Sequence, residues 1–146
     1  MITTVRLCLL VTLALVASSL LAADEQYLVE TRVWLDGELA GTPTLIVQAG
    51  QPASIERAGE PHFRLSLMVE PARDRFAPLE TLWLTIEVEV FGDDGWEPLV
   101  DSLLGVHEGR TASLSLVDGD AESSPETARL FVEVKPSHLR PADAGP

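Results

Sequence analysis

The sequence predicts an all-β protein, an antiparallel β-sandwich of about seven or eight strands, on three observations. Apolar and polar residues alternate with a period of two, most plainly in His62–Glu70, where Phe63, Leu65, Leu67 and Val69 share one face. Leu82–Val90 repeats the pattern with Leu82, Leu84, Ile86, Val88 and Val90 and is rich in β-branched residues. Turn chemistry falls between such runs, at Asp36-Gly37, Gly92-Asp93-Asp94-Gly95 and Asp118-Gly119. Helix periodicity is nearly absent beyond the first residues.

Taken in order, residues 1–23 read as a signal peptide. Arg6 precedes the apolar run Leu7–Val16, and small residues at Ala22-Ala23 stand before the charged Asp24-Glu25. The run is shorter than the roughly 20 apolar residues that span a bilayer, although a retained membrane anchor stands as the alternative. Cys8 lies too early to be an acylated lipoprotein cysteine. Residues 24–136 then form one β-sandwich domain, with strands expected near 27–35, 44–49, 53–57, 62–70, 80–91, 96–106, 111–117 and 127–135. The break Pro71–Pro78 reads as a crossover between halves. From Pro136 the chain has three prolines in eleven residues, so residues 137–146 are expected to be a disordered tail.

One turn is written twice. Gly50, Ala53, Ser54 and Ile55 match Gly109, Ala112, Ser113 and Leu114, and Arg64, Leu65, Val69 and Pro71 then match Arg129, Leu130, Val134 and Pro136 with six further residues in the second loop. Two similar halves packing their apolar faces together are therefore expected, immunoglobulin-like in general shape. The alternative is that any two β-hairpins share this much.

Composition excludes several classes. From Asp24 onward, nine Arg or Lys (the ten of the chain less Arg6) stand against 23 Asp or Glu, a net charge of −14 that repels nucleic acid and anionic membranes. No cysteine follows Cys8, so the fold has no disulfide and no thiol nucleophile after cleavage. Asparagine is absent, which removes N-glycosylation, and one Lys against nine Arg fits a GC-rich bacterial genome.

The stretch Ile46–Ile55 (IVQAGQPASI) resembles a β-hairpin of bacterial secretins, the outer-membrane rings of secretion and pilus assembly. The resemblance covers ten residues and implies a periplasmic β module. It implies no pore, because the chain is too short for a secretin and lacks long Gly-rich barrel strands.

Catalytic and metal-ligating patterns are poor. His62, His107 and His138 do not sit at ligand spacing, and His107-Glu108 is followed by Thr111 where a zinc-protease helix needs its second His. Glu87 and Glu89, two apart on one strand, read as a solvated acidic face. The acidic loops Asp93-Asp94 and Asp118–Glu122 read as solvated turns, with calcium binding as the alternative; the helix-loop-helix calcium pattern itself fails, since it needs Gly where Ser123 stands. No catalytic residue, metal or cofactor is assigned. The informative feature is large apolar side chains on the outward phase of four strands: Trp34, Met68, Trp83 and Phe131. Were they adjacent they would make a binding patch; the competing readings are cover by loops or by the chain's own ends, or scatter. The expected function is a periplasmic or secreted, non-catalytic module for protein–protein interaction or envelope assembly. Its expected partner is another envelope protein, with no nucleic acid and no membrane insertion after signal cleavage, and homo-oligomerisation stays open. The alternative is a glycan or small-ligand module stacking sugars on Trp34, Trp83 or Trp96.

Overall fold

Nine strands and no helix make up residues 25–73, 78 and 80–139, the part of the chain that the computed structural model describes. The expected signal peptide, residues 1–23, lies outside the described residues. The strands are β1 (Gln26–Leu35), β2 (Glu38–Gly41), β3 (Thr44–Gln48), β4 (Ala53–Arg57), β5 (Phe63–Pro71), β6 (Thr81–Gly92), β7 (Gly95–His107), β8 (Ala112–Leu116) and β9 (Leu130–Leu139). One antiparallel sheet holds β1 between β9 and the pair β2 and β3, with β8 outside β9; the other runs β4-β5-β6-β7. The fold is the expected β-sandwich.

Alternation builds the core. Tyr27, Val29, Val33 and Leu35 of β1 and Leu130, Val132 and Val134 of β9 face Phe63, Leu65, Leu67 and Val69 of β5 and Leu82, Leu84, Ile86 and Val88 of β6, and all are buried. Each such side chain contributes roughly 1.5–3 kcal/mol by leaving water. The chain crosses between sheets at the two repeated turns. Gly50 and Gly109 have φ of 74° and 77° with open space where a Cβ would stand, so glycine is required there by the backbone alone. The segment that resembles the secretin hairpin is thus a corner between sheets, since β3 pairs with β1 and β4 with β5. Two facing sheets make the expected sandwich, but the strand order, β2-β1-β9-β8 with β3 on β1 against β4-β5-β6-β7, is not the immunoglobulin order.

The two halves repeat in register. Moving β1 on by 55 positions and β3 by 59 turns the pair Gln26·Gln48 into Thr81·His107. The same 55 carries the irregularity at Val33/Trp34 onto the one at Val88/Glu89. Moving β4 by 59 and β5 by 67 turns Ala53·Leu67 into Ala112·Val134. The junctions match too, since Leu65·Val88 becomes Val132·Val33. Gly50 N–H donates to Val69 O at 2.9 Å, and Gly109 N–H to the corresponding Pro136 O at 2.7 Å. The last shift is two residues longer than the sequence matches imply. The pairings Arg64 with Arg129 and Pro71 with Pro136 are coincidences that keep the period-two phase, and the second loop is longer by eight residues rather than six.

Two further expectations change. β2 had no alternation to announce it; it forms because Asp36 and Gly37, both at positive φ (51° and 84°), return the chain in a two-residue hairpin. Pro43 then interrupts the edge, and its carbonyl accepts both the Thr31 N–H (3.0 Å) and hydroxyl (2.7 Å). The tail does not begin at 137. β9 continues to Leu139, pairing Ser137, His138 and Leu139 with Leu28, Tyr27 and Gln26, and Glu108 Oε1 accepts the His138 N–H at 2.9 Å. A waiting partner strand overrides the proline-rich composition. Residues 140–146 lie outside the described residues.

Candidate interaction face

The four outward apolar residues do not form one patch. Trp34 and Phe131 are directly paired across β1 and β9, edge to face with ring centroids 5.6 Å apart. Met68 and Trp83 lie diagonally on β5 and β6, in the opposite sheet. Period two tells which side of its own strand a residue takes; it does not tell which sheet the strand joins.

The Trp34–Phe131 pair is covered. The long β8–β9 connection, Val117–Arg129, is fastened where the Ser123 hydroxyl shares a hydrogen bond with Ser115 on β8, the residue paired with Phe131. At its other side the Glu126 carbonyl comes 2.7 Å from where a Cβ on Gly37 would stand, beside the end of β1. Between these anchors Phe131 is only 9% exposed and Trp34 is half-buried. Through the repeat, Trp34 and Phe131 correspond to Glu89 and Arg64, whose side chains form an ion pair at 3.1 Å. An ion pair is at home in water and an aromatic pair is not, in keeping with the burial of Phe131. Trp34 and Phe131 thus pack on each other, Phe131 buried and Trp34 half-buried, in the sheet opposite Met68 and Trp83.

On the β4–β7 sheet the outer side chains stay open. Trp83 is 40% exposed and lies across Gly105, whose missing Cβ would stand 3.1 Å from the indole. Beside it are half-buried Met68, exposed Glu70 and Leu103, 62% exposed. Roughly 26 Å further along β6, at ~3.3 Å per residue, a second aromatic group closes the β6–β7 hairpin. There Phe91, His62 and Trp96 contact one another with centroids 5.0–5.2 Å apart, and Phe91 is 48% exposed. The Arg64 guanidinium sits 4.1 Å from the Trp96 ring centre, so that ring is already stacked upon. His62 Nε2 is 2.9 Å from Glu56 Oε1. Of the three tryptophans, Trp83 is the one with no ring or cation contact among the described residues. Sequence reasoning missed Leu103 and Gly105; with the strand pairing in hand, a Gly beside an outward Trp was the signal.

The remaining candidates lie apart. His107 is exposed beside the second corner, and His138 packs edge to face on Tyr27, centroids 5.3 Å apart. Tyr27 donates to Glu25 Oε2 at 3.2 Å; burial, then the Glu25 charge, pushes its phenol up to about 12. On the first sheet an open depression of about 560 Å³ is lined by Glu30, Arg32, Glu133 and Lys135, whose charges balance. Fold and surface define a two-sheet antiparallel sandwich with an aromatic pair, Trp34 and Phe131, on one sheet and a solvent-exposed Trp83 on the other. Comparison with protein-family models, curated proteins and solved structures finds no match to this chain.

Proposed function

We propose that this chain is an exported, non-catalytic β-sandwich that serves as a protein-interaction or envelope-assembly module, engaging its partner through the outer face of the β4–β7 sheet. The observation that carries this reading is Trp83, which packs against Gly105 and is 40% exposed next to the 62% exposed Leu103. A large apolar ring held rigidly at a surface loses little freedom on binding and contributes area at once. Export is supported by the apolar run Leu7–Val16 ahead of Ala22-Ala23.

Pull-downs from periplasmic extract beside thermal melts test it. Trp83→Ala is expected to lose capture by about 30-fold, a hot-spot effect, with stability changed by less than ~0.5 kcal/mol. Trp34→Ala is expected to cost about 2–3 kcal/mol of stability by uncovering Phe131, and to capture normally once folded. Undiminished capture by Trp83→Ala sinks the reading. A second reading, a glycan-binding module, is favoured by one observation, the exposed Trp83 ring beside the Glu70 carboxylate. Titration with oligosaccharides followed by Trp fluorescence separates the two.

A further inference from the structure

We infer that the outer face of the β4–β7 sheet docks a cationic, amphipathic polypeptide segment, with Lys or Arg side chains on Glu70, Glu87 and Asp101 and apolar side chains on Trp83 and Leu103. This rests on the interaction reading above and specifies the chemistry of that partner.

The internal repeat supplies the first argument, because it lets the two outer faces be compared position by position. Where the β1–β9 face carries Glu30, Arg32, Glu133 and Lys135, the corresponding residues on the β4–β7 face are Thr85, Glu87, Ser66 and Met68. Thr42 likewise becomes Asp101. One face is charge-balanced. The other carries Glu56, Glu70, Glu87, Glu89 and Asp101 against Arg64 alone, and Arg64 is already paired with Glu89. The ladders and core match between halves, so the difference lies in the outward side chains and not in the frame.

The second argument is a local conflict. Glu87 on β6 and Asp101 on β7 are exposed and directly opposite each other, a like-charge cross-strand pair that weakens a sheet. Neither they nor Glu70 has a cation within ion-pair distance among the described residues. A partner's Lys or Arg laid between them relieves that repulsion, so binding gains where folding loses.

The third argument is adjacency. Glu70 and Gly105 flank Trp83, and Leu103 lies between Gly105 and Asp101 along β7, which places apolar and acidic groups in successive rows of one pleated face. An extended segment with basic and apolar residues matches both kinds of row. The acidic charge steers it on approach, and the ring and Leu103 hold it. Nucleic acid and anionic lipid are repelled by the same charge, and a neutral sugar leaves the acidic pair unanswered.

The test uses the intact protein and short synthetic peptides read by fluorescence anisotropy. A peptide alternating Lys and Leu is expected to bind. A Glu–Leu peptide is expected to bind at least ~30-fold more weakly and a Lys–Ser peptide at least ~10-fold more weakly. The double variant Glu87→Gln/Asp101→Asn is expected to weaken the Lys–Leu complex by about tenfold and flatten its salt dependence. It should melt no lower than the parent, because it removes a repulsion. Neutralising Asp118 and Asp120 in the β8–β9 loop should change nothing, which separates a docking face from general attraction to an acidic protein. Equal binding of the Lys–Leu and Glu–Leu peptides, indifference to the double variant, or binding of a neutral oligosaccharide at Trp83 with none of the Lys–Leu peptide overturns the inference. Should peptide selectivity fail while capture of an envelope protein still depends on Trp83, the cationic partner is refuted and the module reading stands. Loss of both removes both.

Discussion

At the scale of single residues, Tyr27 offers a direct readout of the fold, because it is the only tyrosine in the chain. Its ring is buried between Val47 of β3 and His138 of β9, and burial together with the Glu25 carboxylate favours the neutral phenol. A phenol kept neutral by folding contributes its full share of stability below about pH 10, the value for unfolded tyrosine, and loses it as pH climbs toward 12. Phenolate absorbance should therefore rise with a midpoint near 12 in the native protein and about two units lower in denaturant. Stability should fall across that interval, and Tyr27→Phe should abolish the part of the fall that belongs to this group. A native midpoint at the unfolded value would place the phenol in water and contradict the position of β9 past Pro136. The same residue shows why composition misled there. Prolines argue against regular structure only where no partner is waiting, and β1 presents Gln26, Tyr27 and Leu28 to be paired.

At the scale of elements, the strands were legible because burial on one side imposes a period of two that nothing else in a sequence mimics over nine or ten residues. β6 is the clearest case. Ile86 points into the core with no exposure and Glu87 points to water, so Ile86→Asp should abolish cooperative unfolding, since an unpaired buried charge costs several kcal/mol. Glu87→Gln should melt within ~0.5 kcal/mol of the parent or slightly above it, given the facing Asp101. Equal damage from both would mean that the strand phase is wrong. What the sequence concealed was pairing. Phe131 and Trp34 look the same as Trp83 on paper, each an aromatic among outward polar residues, and only the strand partners separate the aromatic pair from the exposed ring. β2 was concealed for a different reason, since its stability comes from the Asp36-Gly37 turn and from β1 rather than from its own four residues.

At the scale of the whole molecule, the repeat relates every strand of β1, β3, β4 and β5 to one of β6, β7, β8 and β9, and it relates the β5–β6 junction to the pairing of β9 with β1. Each half places its first hairpin in one sheet and its last in the other, so neither half encloses a core by itself and the two interlock. The doubled Gly turn marks the two places where the chain changes sheet. This arrangement makes the ends of the sandwich equivalent to an ordinary hairpin: Gln26 is paired with Leu139 just as Leu82 is with Pro71. A circular permutant that joins Leu139 to Glu25 through a short flexible linker, and opens the chain between Ala72 and Glu80, should keep every ladder intact. Such permutations succeed where the ends to be joined lie close together, as Glu25 and Leu139 do beside the paired Gln26 and Leu139. The permutant should unfold cooperatively, within about 2 kcal/mol of the parent, and should retain the high Tyr27 midpoint, because Tyr27 keeps both neighbouring strands. Linker entropy alone accounts for a loss of that order. A permutant that collapses without a cooperative transition, while the parent shows one, would mean that the β5–β6 connection holds the halves together in a way that the β9–β1 ladder does not, and the two junctions would then be alike in register but not in energy.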